Sequence, residues 1–105
     1  MKLNRVPIPA RREDTLRQSM IALLRQNPLT AREISEQIGV AEREVYTHLE
    51  HIRQSLHRGE TSLSVLPAEC RGCGFVFTKR DRLKRPGRCP LCRGQSISRP
   101  RYLLE

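Results

Sequence analysis

No run of this chain is long and apolar enough to cross a bilayer. Its longest aliphatic stretch, Met20 to Leu24, falls far short of the roughly 20 residues a spanning helix needs. A secretory signal is missing too, since Lys2 and Arg5 are followed by Pro7 and Pro9 rather than by an apolar run. Acidic residues are scarce: 11 Asp and Glu face 20 Lys and Arg, a formal charge of +9 that favours polyanionic partners. Aromatic residues are few, so a surface for stacking single-stranded bases would rest on Phe75, Phe77 and Tyr102, which serve equally as a small ribbon core. The chain also lacks a Ser-His-Asp arrangement, paired carboxylates and a glycine-rich phosphate loop. These absences predict a cytoplasmic protein that is not an enzyme, with no membrane role and no evident small-molecule substrate.

What cysteine there is lies in one stretch. Cys70 and Cys73 form one C-x-x-C pair, and Cys89 and Cys92 form a second after fifteen intervening residues. Two such pairs bring four thiolates from two short turns to one point, which suits a tetrahedral zinc ion. With four sulfur ligands the tetrahedron is full, so one structural zinc is expected rather than a catalytic one. Gly72 and Gly74 allow the first turn to tighten, Pro90 pre-sets the second, and Gly94 offers the same freedom after it. Disulfides would need an oxidising compartment, and a redox couple would need a thioredoxin-like βαβ unit. An iron site with the same knuckles normally has them farther apart in the chain, so zinc is favoured over iron.

Residues 1–11, with Val6-Pro7-Ile8-Pro9, read as an extended arm, and Lys2, Arg5, Arg11 and Arg12 offer a basic surface there. A first helix fits 13–26, with Leu16, Met20, Leu23 and Leu24 on one face. Asp14 or Thr15 is its expected cap, Thr15 and Gln18 forming a capping box. Thr30 and Glu33 form a second capping box, opening a short helix over 31–38 that Gly39 ends. A longer helix over 42–57 buries Val45, Leu49, Ile52 and Leu56. A capped short helix, a glycine turn and a longer helix make a helix-turn-helix, in which Arg43, Glu44, Tyr46, Thr47 and His48 would face base edges. Arg43 suits guanine and Glu44 a cytosine amine. The charges of this helix nearly cancel, however, so it supplies little phosphate neutralisation. Its histidines His48 and His51 are spaced to share a metal, but the cysteines make that unnecessary.

The second half carries the charge. Residues 1–66 hold ten Lys/Arg against eight Asp/Glu, whereas residues 67–105 hold ten against three. Six of the latter, Lys79, Arg80, Arg82, Lys84, Arg85 and Arg88, lie between the knuckles with only Asp81 opposing them. Lys79, Arg80, Arg82, Lys84 and Arg85 are therefore the candidate phosphate clamp. Short strands are expected at 62–66, 75–77 and 96–98, with Tyr102-Leu103-Leu104 pairing with 62–66. The eleven residues between Arg58 and Cys70 are barely enough for a wing, so the zinc module takes the place of one. The fold class is α+β: a winged-helix-like three-helix domain over 1–66, followed by a small β zinc ribbon with rubredoxin-like knuckles over 67–105.

Three segments carry a resemblance. They are Leu29-Thr30-Ala31-Arg32-Glu33-Ile34 through Val45, Pro67-Ala68-Glu69-Cys70-x-x-Cys73-Gly74-Phe75-Val76-Phe77, and residues 82–92 ending in Cys89-Pro90-x-Cys92. Together they resemble small prokaryotic predicted transcriptional regulators that fuse a winged helix-turn-helix to a zinc ribbon. The resemblance spans roughly 13–104, is specific in its ribbon motif, and implies a fold more firmly than a function. The expected function is DNA-binding transcriptional regulation, with DNA as partner. A protein-binding adaptor on the transcription or translation machinery is the second expectation, and RNA binding through the ribbon the third. A rubredoxin-like electron carrier, which colourless protein would exclude, is the fourth.

Overall fold

The computed structural model describes residues 12–56, 59–78 and 82–105. The expected arm at 1–11, with Lys2, Arg5 and Arg11, lies outside these residues, as do His57, Lys79 and Arg80. No helix among the described residues is long and apolar enough to cross a membrane.

Helix α1 spans Arg12–Gln26 and buries Met20 and Leu24. It begins upstream of the predicted cap, so Thr15 lies inside the helix rather than at its N-cap. Pro28 cannot continue the helix, and the chain turns into β1, Leu29–Thr30, a strand too short to leave a pattern in the sequence.

Helix α2 spans Ala31–Ile38, and its start is the predicted capping box. The Glu33 N–H donates to Thr30 Oγ1 at 3.1 Å, while the Thr30 N–H donates to Glu33 Oε1 at 2.9 Å. Two N–H groups that a helix start leaves without a partner are thereby satisfied. Gly39, at φ +76°, reverses the chain in the left-handed region, its N–H bonded to the Ser35 carbonyl. The Ser35 hydroxyl holds the Val40 carbonyl and so closes the turn.

Helix α3 spans Glu42–Leu56, with Val45, Leu49 and Ile52 fully buried and Leu56 packed at the edge of the same core. His48 is buried as well, at 5% exposure, on the α3 turn where a solvent-facing position was expected. The sequence periodicity put it one residue from the apolar stripe, and the packing draws it in.

Strands β2, Leu63–Leu66, and β3, Arg101–Leu104, pair antiparallel with Leu63 opposite Leu104 and Leu66 opposite Arg101. Ser62 and Glu105 extend the ladder by two further hydrogen bonds. β1 pairs with the other edge of β3, giving a three-stranded sheet in the order β1-β3-β2. The pairing of 102–104 with 62–66 is therefore as expected, and residues 67–100 leave and re-enter the sheet between its two longer strands.

Tyr102 is the point of difference. It was expected to share the ribbon core with Phe75 and Phe77, but it is fully buried among the helices with Met20, Leu24, Ile34 and Val45. Alternation along β3 buries Tyr102 and Leu104 on one face and leaves Arg101 on the other. Leu83, from the loop between the knuckles, joins the same core. The ribbon keeps a second, smaller core of Ala68, Cys70, Phe77, Cys89 and Ile97, with Phe75 at its edge. The two phenylalanine rings meet edge to face, with centroids 4.9 Å apart. The strands expected at 75–77 and 96–98 reduce to single bridges, Glu69 to Val76 and Cys70 to Ile97. Residues 68–71 lie between these two segments and bond to both.

Candidate metal centre and nucleic-acid interface

The knuckles are two copies of one turn. In the first, the Cys70 N–H donates to the Phe75 carbonyl at 2.8 Å and the Gly74 N–H to the Cys70 carbonyl at 2.8 Å. In the second, the Cys89 N–H donates to the Gly94 carbonyl at 2.9 Å and the Arg93 N–H to the Cys89 carbonyl at 2.9 Å. Each turn needs one residue in the left-handed region. Gly74 fills it in the first at φ +84°, and Arg93, not Gly94, fills it in the second at φ +61°.

These turns place the four Sγ atoms of Cys70, Cys73, Cys89 and Cys92 within 4.8 Å of one another. Cys70 and Cys92 sulfurs are 3.6 Å apart, and Cys73 and Cys89 sulfurs 3.5 Å. Sulfurs roughly 2.3 Å from a zinc ion at tetrahedral angles stand about 3.8 Å from each other, so the tetrad fits one zinc ion. No disulfide joins any of the four. The buried members are Cys70 and Cys89, the first cysteine of each knuckle, and the exposed members are Cys73 and Cys92.

Backbone dipoles aid the thiolates. The Cys73 N–H, acting first and against desolvation, brings the Cys70 thiol down to about 7. Around Cys73 the Phe75 N–H pulls the same way, but the neighbouring Cys89 sulfur and burial push it up to about 12. Four converging sulfurs cannot all carry charge without a cation, and a divalent ion removes that conflict. Bound there, zinc cross-links the two knuckles and fixes the residues between them.

The predicted nucleic-acid residues divide into three groups. Arg43, Glu44 and Thr47 are exposed on the first turns of α3. His48 is buried and Tyr46 half-buried, so neither faces solvent as expected. Tyr46 turns to the ribbon: burial, then the Glu42 carboxylate, push its ionisation above the usual phenol value, against a hydrogen bond from the Arg85 backbone. Arg82, Lys84 and Arg85 are exposed, while Leu83 among them and Pro86 just after them are buried. The loop is thus pinned at Leu83 and Pro86, with its cations outward. Lys79 and Arg80 fall outside the described residues. Phe77 and Tyr102 are buried, leaving no open ring face on either for a stacked base.

Contacts across the chain supply what local pattern could not. Arg99 Nη1 bonds Glu42 Oε2 at 3.2 Å, from a residue 57 positions away. Arg101 Nη1 bonds Glu33 Oε1 at 3.0 Å across 68 positions, and also the Pro28 carbonyl. Both arginines line a cleft of about 360 Å³ between sheet and ribbon, together with Thr30, Leu66, Arg71 and Ser98. Only the excess of arginine over acid in residues 67–105 hinted at it.

Residues 15–64 match the model of the PF0610-like N-terminal family, and residues 67–105 match the PF0610 rubredoxin-like zinc beta-ribbon domain. Among solved structures, the solution NMR structure of protein PF0610 from Pyrococcus furiosus matches at 28% identity with a TM-score of 0.73, covering 100% of this chain and 98% of that one. No curated protein matches. The chain therefore couples a domain similar to the PF0610 N-terminal domain to a rubredoxin-like zinc β-ribbon.

Proposed function

We propose that this protein is a DNA-binding transcriptional regulator with a structural zinc ribbon. The observation that carries the reading is the docking of the basic ribbon loop beside α3. Leu83 lies in the helical core and Tyr46 of α3 bonds the Arg85 backbone, so the exposed Arg82, Lys84 and Arg85 are held next to that helix. A helix with little net charge thus acquires fixed cations from another part of the chain. In this reading Arg43, Glu44 and Thr47 meet base edges while the loop meets phosphates. The test is fluorescence anisotropy of the zinc-loaded protein with a random duplex pool at two salt concentrations. Steeply salt-dependent binding is expected. No binding at low salt would remove the reading.

A second reading, a protein-binding adaptor, is favoured by a separate observation. Leu91, at the tip of the second knuckle, is 71% exposed, and Val65, Leu66 and Val76 are also open to solvent. Recovery of one stoichiometric protein partner, with no duplex binding, would support it.

A further inference from the structure

We propose that the cleft between the first knuckle and the sheet seats a backbone phosphate of a nucleic acid, held by Arg71, Arg99 and Arg101. The proposal rests on the nucleic-acid reading above and adds a second, separate place for phosphate contact. Three guanidinium groups reach this cleft from two parts of the chain: Arg71 from the first knuckle, Arg99 and Arg101 from the segment returning to the sheet. No carboxylate lines it among the described residues. Glu42 and Glu33 engage Arg99 and Arg101 through Nη1, and a guanidinium has five donors. Those pairs fix the two side chains in place with donors remaining for an anion. Arg71 is exposed.

The hydroxyls of the cleft point to the same ligand. Ser98 Oγ accepts the Glu69 N–H at 2.9 Å, and Thr30 Oγ1 accepts the Glu33 N–H at 3.1 Å. Each oxygen is used as an acceptor and retains its own proton to donate. The walls therefore offer cations and donors, which is what a phosphodiester oxygen requires. The cleft is distinct from the ribbon-loop surface. Val65 lines a groove with Arg82 and Lys84, its neighbour Leu66 lines the arginine cleft, and Pro67 borders both, but the two share no cation. Successive strand residues face opposite sides, so the two basic surfaces flank β2 and can be altered independently.

The experiment measures anisotropy of a fluorescein-labelled random duplex pool between about 50 and 200 mM salt. The proteins are wild type, Arg71→Gln, Arg71→Lys and Arg101→Gln, each checked for one zinc per chain. Arg71→Gln and Arg101→Gln should weaken binding and each flatten the plot of log affinity against log salt by about one unit. Arg71→Lys, which keeps the charge, should retain the slope. If both glutamine variants match wild type in affinity and slope, the cleft proposal fails while the DNA reading stands. Weaker binding with an unchanged slope would also overturn it, as the mark of a structural role. If wild type binds no duplex, the DNA reading falls and the cleft falls with it.

Discussion

The Tyr102 hydroxyl donates a hydrogen bond to the Leu83 carbonyl, and both residues are buried in the core of the helical module. Tyr102 belongs to the strand that re-enters the sheet after the ribbon, and Leu83 to the loop between the two metal knuckles. One bond thus ties the metal module to the helices at both ends of its second knuckle. Tyr102→Phe keeps the ring but leaves a buried carbonyl without its donor, at a cost of about 1–3 kcal/mol. Leu83→Ala removes a buried side chain and should cost about 2–4 kcal/mol. Urea unfolding of the zinc-loaded variants measures both, and wild-type midpoints would show that the loop is not anchored there.

Removing the metal should reach beyond the ribbon. A module of 39 residues, 67 to 105, is too small to bury a sufficient core alone. Chelation should release one zinc per chain and abolish the ribbon's order. Because Leu83 and Tyr102 sit among the helices, the helical signal should also melt at a lower temperature. Circular dichroism with and without chelator reads this. An unchanged helical melt would mean that the two cores are energetically separate.

The cap of α2 predicts a pH response. The Thr30 N–H above all, helped by the Arg101 charge and opposed by desolvation, holds the Glu33 carboxyl below its usual 4.5. A carboxyl depressed in the folded state stabilises the fold above its ordinary value, and that stability is lost as pH falls through the depressed one. Glu33→Gln should therefore melt at a pH-independent difference from wild type in acid, below the depressed value, and fall behind it towards neutrality. Glu33→Ala, losing acceptor and charge, should cost about 1 kcal/mol at neutral pH. Thermal melts across pH 3 to 7 test the sign, and parallel curves for wild type and Glu33→Gln would refute it.

The two knuckles predict opposite responses to glycine chemistry. Arg93 holds φ +61°, a region costly to residues with a Cβ. Arg93→Gly should be neutral or stabilise by up to about 1 kcal/mol. Gly74→Ala, at φ +84° with open space around the new Cβ, should destabilise by about 1–2 kcal/mol through backbone strain alone. Competition with a chromogenic chelator gives both as zinc affinities. Equal affinities for all three proteins would remove the argument.

Much of this architecture was legible one segment at a time. The capping box at Thr30 and Glu33, the left-handed Gly39, the apolar face of α3 and the cysteine tetrad all depend on residues within a few positions or on a fixed spacing. Helix capping, helical periodicity and metal coordination act over those distances, so sequence carries them. β1 escaped notice because two residues have no period to read, and it exists only because β3 arrives beside it.

What tertiary structure alone decided is where distant segments meet. Nothing near Tyr102 in sequence distinguishes a ribbon-core aromatic from a helical-core one; its partner Leu83 is supplied by the return of β3 to the sheet. The same return brings Arg99 to Glu42 and Arg101 to Glu33, and turns scattered arginines into a lined cleft. Periodicity sees one helix and so leaves His48 and Tyr46 facing solvent, whereas burial depends on what packs against it. Sequence determined the three helices and what the cysteines bind. The chain's closure of its sheet across the inserted ribbon determined which surfaces remain, because non-local burial and long-range charge pairing depend on proximity in space and not along the chain.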